Sequence, residues 1–163
     1  MKKALLFLIC IFYSLSALTD TTEGCILNDV VVVECVLEKS RKTLSVCASK
    51  DGKSAHYKFS HQGKTELRVD FSTTSPLFRW VNSDSHVTFF GFIKNNYTYL
   101  IGVPQETLDA KSFLMVQKSH LPQNLSLIKF CTTNSFGEKH WPSTAIKDVN
   151  EKVLSDNYIF MPN

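Results

Sequence analysis

The sequence has little of what organises nucleotide, metal or nucleophile chemistry. It holds only 6 glycines and 5 prolines in 163 residues. The glycines fall in no phosphate-cradling pattern, and no Gly-x-Ser-x-Gly elbow of the serine-hydrolase kind occurs. No Cys-x-x-Cys and no His-x-His pair is present. That removes the common zinc spacings and the dithiol redox motif. His56, His61, His86, His120 and His140 are scattered, with no two at i,i+2 on a strand or i,i+4 on a helix. No metal site and no cofactor is therefore expected. Alternation of strands with helices is missing, which argues against a parallel α/β sheet. No internal repeat occurs, and beyond the N-terminus no apolar run approaches membrane-spanning length.

The N-terminus is different in character. Lys2 and Lys3 precede an apolar stretch from Ala4 to Tyr13, and small residues follow at Ser14, Ser16 and Ala17. This reads as a signal peptide over residues 1–17, with a single domain at 18–163 and no stable membrane anchor after cleavage. Of 18 basic and 15 acidic side chains, cleavage removes Lys2 and Lys3 and no acid. The near-balance that remains argues against a phosphate-binding surface large enough for nucleic acid. Cys10 would leave with the signal, and Cys25, Cys35, Cys47 and Cys131 would stay. An even number in an exported chain reads as two disulfides, placing the protein in the periplasm or outside the cell. The Lys-Lys start with its short apolar stretch looks bacterial, so the sequons at Asn96 and Asn124 are taken as chance.

What the chain does have is short apolar or alternating runs, broken by turn residues. Candidate strands run over 30–37, 43–49, 54–60, 65–71, 77–81, 86–94, 97–103, 112–118 and 125–131. In Thr65 to Phe71 the residues Leu67, Val69 and Phe71 alternate with Glu66, Arg68 and Asp70, the signature of one buried and one wet sheet face. In His86 to Lys94 both faces are apolar, which predicts a central, covered strand. Asn95-Asn96 tolerates positive φ and predicts a tight hairpin. The pattern predicts an all-β fold, an antiparallel sandwich or small barrel of about eight or nine strands. Ile146, Val149, Val153 and Leu154 share a helical face, so one short C-terminal helix is expected over Ala145 to Leu154, with Ser143 or Thr144 as its cap.

A hairpin centred on Arg41 would set Cys35 opposite Cys47, at a separation that a disulfide accepts. The expected pairs are therefore Cys35–Cys47 as a cross-strand staple and, by elimination, Cys25–Cys131. The basic tip Lys39-Arg41-Lys42 reads as a solvated turn.

With the cysteines engaged and no catalytic constellation in view, the chain reads as a non-enzyme. Recognition is expected to sit on turns, with Asp84 and His86 in one, and His140 and Trp141 in a dozen-residue connection after Cys131. The competing reading of Phe136 and Trp141 is a lid folded over the core. Glu66 and Asp70, flanking Arg68 on one strand face, raise a glycosidase alternative, against a solvated face of alternating charge. The phenylalanines around residues 89–92 raise a ligand-carrier alternative.

Cys35, Leu44-Ser45-Val46-Cys47, Tyr57-Lys58-Phe59, Gly63-Lys64-Thr65-Glu66-Leu67, Tyr97-Thr98-Tyr99 and Cys131 together resemble a group of small exported bacterial proteins of unknown function. In those a cysteine hairpin leads to a Tyr-Arg-Phe-Gly-like strand and a Gly-Lys-x-Glu-Leu segment. Ser60 stands where they often carry glycine. More loosely, the chain is similar to periplasmic lysozyme inhibitors and periplasmic immunity proteins. Such inhibitors insert a Ser/Gly-containing loop into an enzyme cleft, whereas Asn82 to His86 has serines and no glycine. The expected function is a non-catalytic exported binding protein that neutralises a cell-wall hydrolase or toxin by occluding its cleft.

Overall fold

The computed structural model describes residues 24–118, 127–150, 154–155 and 158–159. All nine expected strands are present: β1 (Asp29–Val36), β2 (Thr43–Ser49), β3 (Ala55–His61), β4 (Lys64–Phe71), β5 (Leu77–Asn82), β6 (Val87–Lys94), β7 (Tyr97–Pro104), β8 (Phe113–Lys118) and β9 (Leu127–Phe130). Three short strands follow, β10 (Ile146–Asp148), β11 (Leu154–Ser155) and β12 (Tyr158–Ile159). They form a sheet ordered β1-β2-β3-β4, a sheet ordered β10-β5-β6-β7-β8-β9, and the β11-β12 pair. The larger two face each other across one apolar core, so the architecture is a sandwich and not a closed barrel. No helix occurs among the described residues, and none there is long and apolar enough to cross a membrane.

Period-2 patterning explains the core. The first sheet contributes Leu44 and Val46 from β2, Tyr57 from β3 and Phe71 from β4; the second contributes Phe90 and Phe92 from β6, Ile101 from β7 and Leu114 from β8. Glu66, Arg68 and Asp70 lie on the exposed side of β4 as the alternation predicts. The Asn95-Asn96 hairpin is also as expected, with φ of 51° and 62°. The second sheet is apolar on its outer side too. There Trp80 stacks on Phe89 at 5.4 Å, and Phe113 meets Phe89 edge-on at 6.0 Å. Gly102 lies between them in register, and a Cβ there would fall 2.2 Å from the Phe113 ring. The missing side chain is what lets the aromatic row close.

The expected helix over Ala145 to Leu154 does not form over its described residues; residues 151–153 lie outside them. Residues 146–148 instead pair in parallel with the edge of β5, matching Ile146 to Leu77 and Asp148 to Arg79. An apolar residue at Ile146 suits a helix face or a strand equally. The open hydrogen-bonding edge of β5 decides the matter, with Leu77 N–H bonding Ala145 O at 2.9 Å and Val149 N–H bonding Arg79 O at 2.9 Å. Ser143, proposed as a helix cap, donates its hydroxyl to Gly52 O at 2.8 Å and accepts from Ala145 N–H.

The disulfide pairing also differs from expectation. The bonds are Cys25–Cys47 and Cys35–Cys131, not Cys35–Cys47 and Cys25–Cys131. The hairpin turns earlier than a centre at Arg41 implies. Leu37 N–H bonds Lys42 O at 2.8 Å, and Arg41, with φ of 55°, closes a loop of Glu38 to Arg41. Cys35 therefore pairs opposite Leu44, and Cys47 pairs opposite Val31. Opposite residues share a face, and the face alternates along a strand. Leu44 is a core residue, so Cys35 points inward to meet Cys131. Cys47 is three residues on from Leu44 and points outward, where the N-terminal segment brings Cys25. The two hairpin cysteines are on opposite faces of one sheet and cannot meet.

The Cys25 segment covers polar ground. Lys58 Nζ bonds Gly24 O at 3.2 Å, and His56, paired opposite Cys47, is 6% exposed. Its Nδ1 is 3.7 Å from Asp29 Oδ2, and its Nε2 is buried without a hydrogen-bond partner. Burial, reinforced by Arg68, depresses the His56 pKa against the opposing pull of Asp29 and Asp70.

Two outcomes test this arrangement. Trypsin with Asp-N separates the four cysteines, and non-reducing peptide mapping is expected to find Cys25 linked to Cys47 and Cys35 to Cys131. A Cys35–Cys47 peptide would overturn the register. By loop-closure entropy, removing the bond that spans 96 residues is expected to cost roughly 4–5 kcal/mol, against roughly 3 kcal/mol for the one that spans 22. For His56, the folded state disfavours the proton, so the unfolded chain binds more protons below its ordinary pKa of about 6.5. This contribution is full above that pH and is lost as pH falls below it. Denaturation midpoints of a His56→Gln variant are expected to fall less steeply from pH 7 to pH 5 than those of the native chain.

Candidate functional site

The connection from Cys131 to Ala145 is a strap along the open edge of β1. Thr132 N–H bonds Val36 O, Phe136 forms a bridge with Glu34, and Glu138 N–H bonds Val31 O. Gly137, with φ of 138°, allows this contact, because a Cβ there would fall 2.7 Å from two β1 carbonyl oxygens. Asn134 Nδ2 ties the strap to Pro104 O at 3.1 Å, and its Oδ1 accepts from the Ser112 hydroxyl at 2.8 Å.

The far end of the strap is fixed by Arg79. Its guanidinium pairs with both oxygens of Asp148, at 2.6 and 2.8 Å, and donates to the carbonyls of Lys139 and Trp141 at 3.0 and 3.1 Å. The Arg79 side chain is 9% exposed, so a buried cation is matched by one carboxylate and two carbonyl dipoles. The same hydrogen bonds hold the Asp148 carboxyl below its usual range. Trp141 lies half-buried against the core, the lid role, while Phe136 is 74% exposed and is not part of a lid.

This clamp sets Lys139 and His140 beside the β5–β6 turn, and the two segments together line one open concave surface, a cavity of about 450 Å³. Asn82, Ser83, His86, Thr88 and Gln105 complete the polar lining. The turn is preformed. Asn82 Oδ1 accepts from Ser85 N–H at 2.8 Å, His86 N–H bonds Asn82 O, and His86 O accepts from Gln105 N–H, both at 2.9 Å. His86 is held at φ of 55°, a left-handed conformation that costs of order 1 kcal/mol outside glycine. The lining is rich in donors, with one ammonium, two imidazoles and two primary amides, and contains no carboxylate among the described residues. Its chemistry suits an acceptor-rich or acidic partner group.

Of the four expected contact residues, the structure brings His86 and His140 to one wall. Asp84 is exposed on the same turn but outside the cavity, and Trp141 faces the core. Thr88, Gln105 and Lys139 were not legible as site residues. Thr88 alone carried a signal, a polar residue at an inward position in an aromatic strand.

The remaining candidates separate clearly. Glu66 bonds Lys42 at 2.6 Å, and Asp70 bonds Arg68 at 2.9 Å. Four residues apart on one strand, their Cα atoms are roughly 13 Å apart, and each carboxylate is turned to its own cation. The interior phenylalanines are packed, with Phe92 stacked on Tyr99 at 4.9 Å and against Tyr57 at 5.0 Å. Beside these rings an open recess of about 500 Å³ is lined by Phe71, Phe78 and Phe92, with Asp70 and Lys94 also at its wall. Lys42 is held by Glu66 and lies 5.5 Å over the Phe59 ring, while Lys39 and Ser40 line a second, apolar recess beside β9. At the hairpin tip Lys39 and Arg41 are exposed as expected, and Lys42 is partly covered. Asn96 is exposed in its turn, and Asn124 lies outside the described residues. No group of three or more His, Cys, Asp or Glu side chains able to hold a metal occurs among the described residues. A scan against protein-family models and searches of curated proteins and of solved structures find no match to this chain.

Arg79→Ala is expected to lower stability by about 2–3 kcal/mol through lost charged hydrogen bonds. Amide hydrogen exchange should speed up at Lys139 to Trp141 while the β6 and β7 amides keep their relative protection. Unchanged exchange in the strap would show that Arg79 does not hold it.

Proposed function

We propose that this chain is a non-catalytic exported binding protein that neutralises a cell-envelope-targeting enzyme or toxin, using the His86–His140 cavity to seat an acidic, acceptor-rich part of its partner. The observation that carries the reading is the convergence of His86, Lys139 and His140 from two distant segments onto one preformed concave wall. A donor-lined recess on fixed turns fits recognition better than chemistry, because recognition needs positioned complementarity and no activated nucleophile. Two disulfides suit an oxidising compartment, extracellular or periplasmic. The mechanism is occlusion, with the sandwich end covering the partner's cleft. The absence of glycine in Asn82 to His86 makes an insertion like that of the Ser/Gly-loop inhibitors less apt than this cavity-centred mode.

Affinity capture from bacterial envelope fractions, with identification of the captured protein and a muramidase inhibition assay, tests the proposal. A hydrolase or toxin is expected, with its activity suppressed by the native chain. The triple variant His86→Ala, Lys139→Ala, His140→Ala should weaken capture by about 10- to 100-fold, as for truncated interface anchors. Recovery of no such enzyme, or capture unaffected by the triple variant, would overturn it.

A further inference from the structure

We propose that the recess between the β1–β2 turn and β9 is a second docking site, which takes an extended, apolar and acidic segment of a protein partner as an added strand on β9. It is independent of the His86–His140 cavity and of the function proposed for it.

β9 is the last strand of its sheet, and no described strand pairs with its outer edge. Every one of its residues is exposed, although three of the four are large and apolar: Leu127 at 65%, Ile128 at 47% and Phe130 at 50%. Proteins usually blunt such an edge with charge, proline, a bulge or a cover, and here one lysine is all that the strand carries.

The backbone geometry shows where a strand would go. Cys131 N–H bonds Ser112 O on the β8 side, whereas Phe130 O accepts Glu38 N–H from the other side, at 3.0 Å. Orientation alternates along a strand, so the N–H and C=O of Ile128 also point away from β8. The end of β1 already occupies the adjacent stretch of this edge, through the Leu37–Cys131 bridge and the bond from Thr132 N–H to Val36 O. The chain then turns away at Glu38. An incoming strand would continue the ladder from the point at which β1 leaves it.

The recess beside this edge has a volume of about 320 Å³ and an apolar floor from Leu37, Leu127, Ile128 and Phe130. Lys39 and Lys129 stand at its rim. The carboxylate of Glu38 does not offset them, because Lys111 holds it at 2.7 Å. The Ser40 hydroxyl oxygen, on a residue that lines the recess, is shielded from solvent and has no hydrogen-bond partner among the described residues. An apolar floor, a cationic rim and an open backbone edge together select an extended segment that alternates apolar and acidic residues. A second copy of this chain is a poor occupant, since edge-to-edge pairing would crowd the Lys39 and Lys129 of both copies.

The test uses the full chain and two fluorescein-labelled hexapeptides, one alternating valine with glutamate and one alternating valine with lysine. The acidic peptide is expected to bind, shift the amide resonances of Ile128 and Lys129, and slow hydrogen exchange at Ile128. The lysine peptide should bind at least about tenfold more weakly. Lys39→Glu with Lys129→Glu should reverse that preference. Ile128→Pro removes only an outward N–H, so it should fold normally by near-UV circular dichroism and lose peptide binding. No binding of either peptide, equal binding of both, or retained binding by Ile128→Pro would each overturn the proposal. So would occupation of the same resonances by anionic lipid vesicles or by self-association of the chain in place of the peptide.

Discussion

The register of β1 against β2 is the constraint from which the rest follows. It sends Cys35 inward and Cys47 outward from one short hairpin. The inward cysteine binds Cys131 and so joins the first sheet to the end of β9 in the second. The outward one binds Cys25 and holds the N-terminal segment over the His56 side of the first sheet. A slip of one residue would exchange these faces and leave each sulfur facing the wrong partner. The register is itself set by the loop from Glu38 to Arg41, and the Val32 irregularity shifts the last pairs toward Asp29.

Arg79 does for the other end of the strap what Cys131 does for its start. A guanidinium so little exposed is costly unless its donors find partners, and the Asp148 carboxylate with two strap carbonyls accepts four hydrogen bonds from it. The parallel β10–β5 pairing is part of the same solution, because it sets Asp148 directly beside Arg79. A helix over residues 145–154 would leave both the β5 edge and the guanidinium without these partners. Local periodicity favoured the helix; the backbone edge and the buried charge outweighed it.

The sequence made the strands legible because burial alternates with period two and turn residues interrupt it. All nine expected strands form, and Leu67, Val69 and Phe71 face the way their alternation implies. What it left hidden depends on geometry between segments. The cysteine partners turn on where a loop reverses by one or two residues, which Glu38 to Arg41 does not announce. His86 and His140 were legible as turn-borne candidates, but their meeting on one wall rests on the strap, Arg79 and the β5–β6 turn acting together. Lys139 and Gln105 carry no local mark, since each acquires its place only from the fold. Lys39 and Arg41 are exposed as the tip composition implied, whereas the apolar recess beside them was hidden because the approach of β9 to Leu37 involves a bridge between residues far apart in sequence.

One segment, from Leu127 to His140, supplies residues to both the apolar recess and the donor-lined cavity. Between the two it is held by a disulfide, by Asn134, by the β1 edge and by Arg79. Such a segment has little conformational freedom left to lose when a partner arrives, so more of the contact energy is retained as affinity. The two surfaces also differ in kind. The cavity presents side-chain donors from turns, whereas the recess presents backbone groups and apolar side chains from an edge strand. A partner that engages both would have to offer an acidic projection and an acidic extended strand, with their spacing set by the strap. Linking two modest contacts in this way raises the effective concentration of the second once the first has formed. A rigid strap makes that gain depend on geometry, and a partner with the wrong spacing would obtain only one of the two contacts.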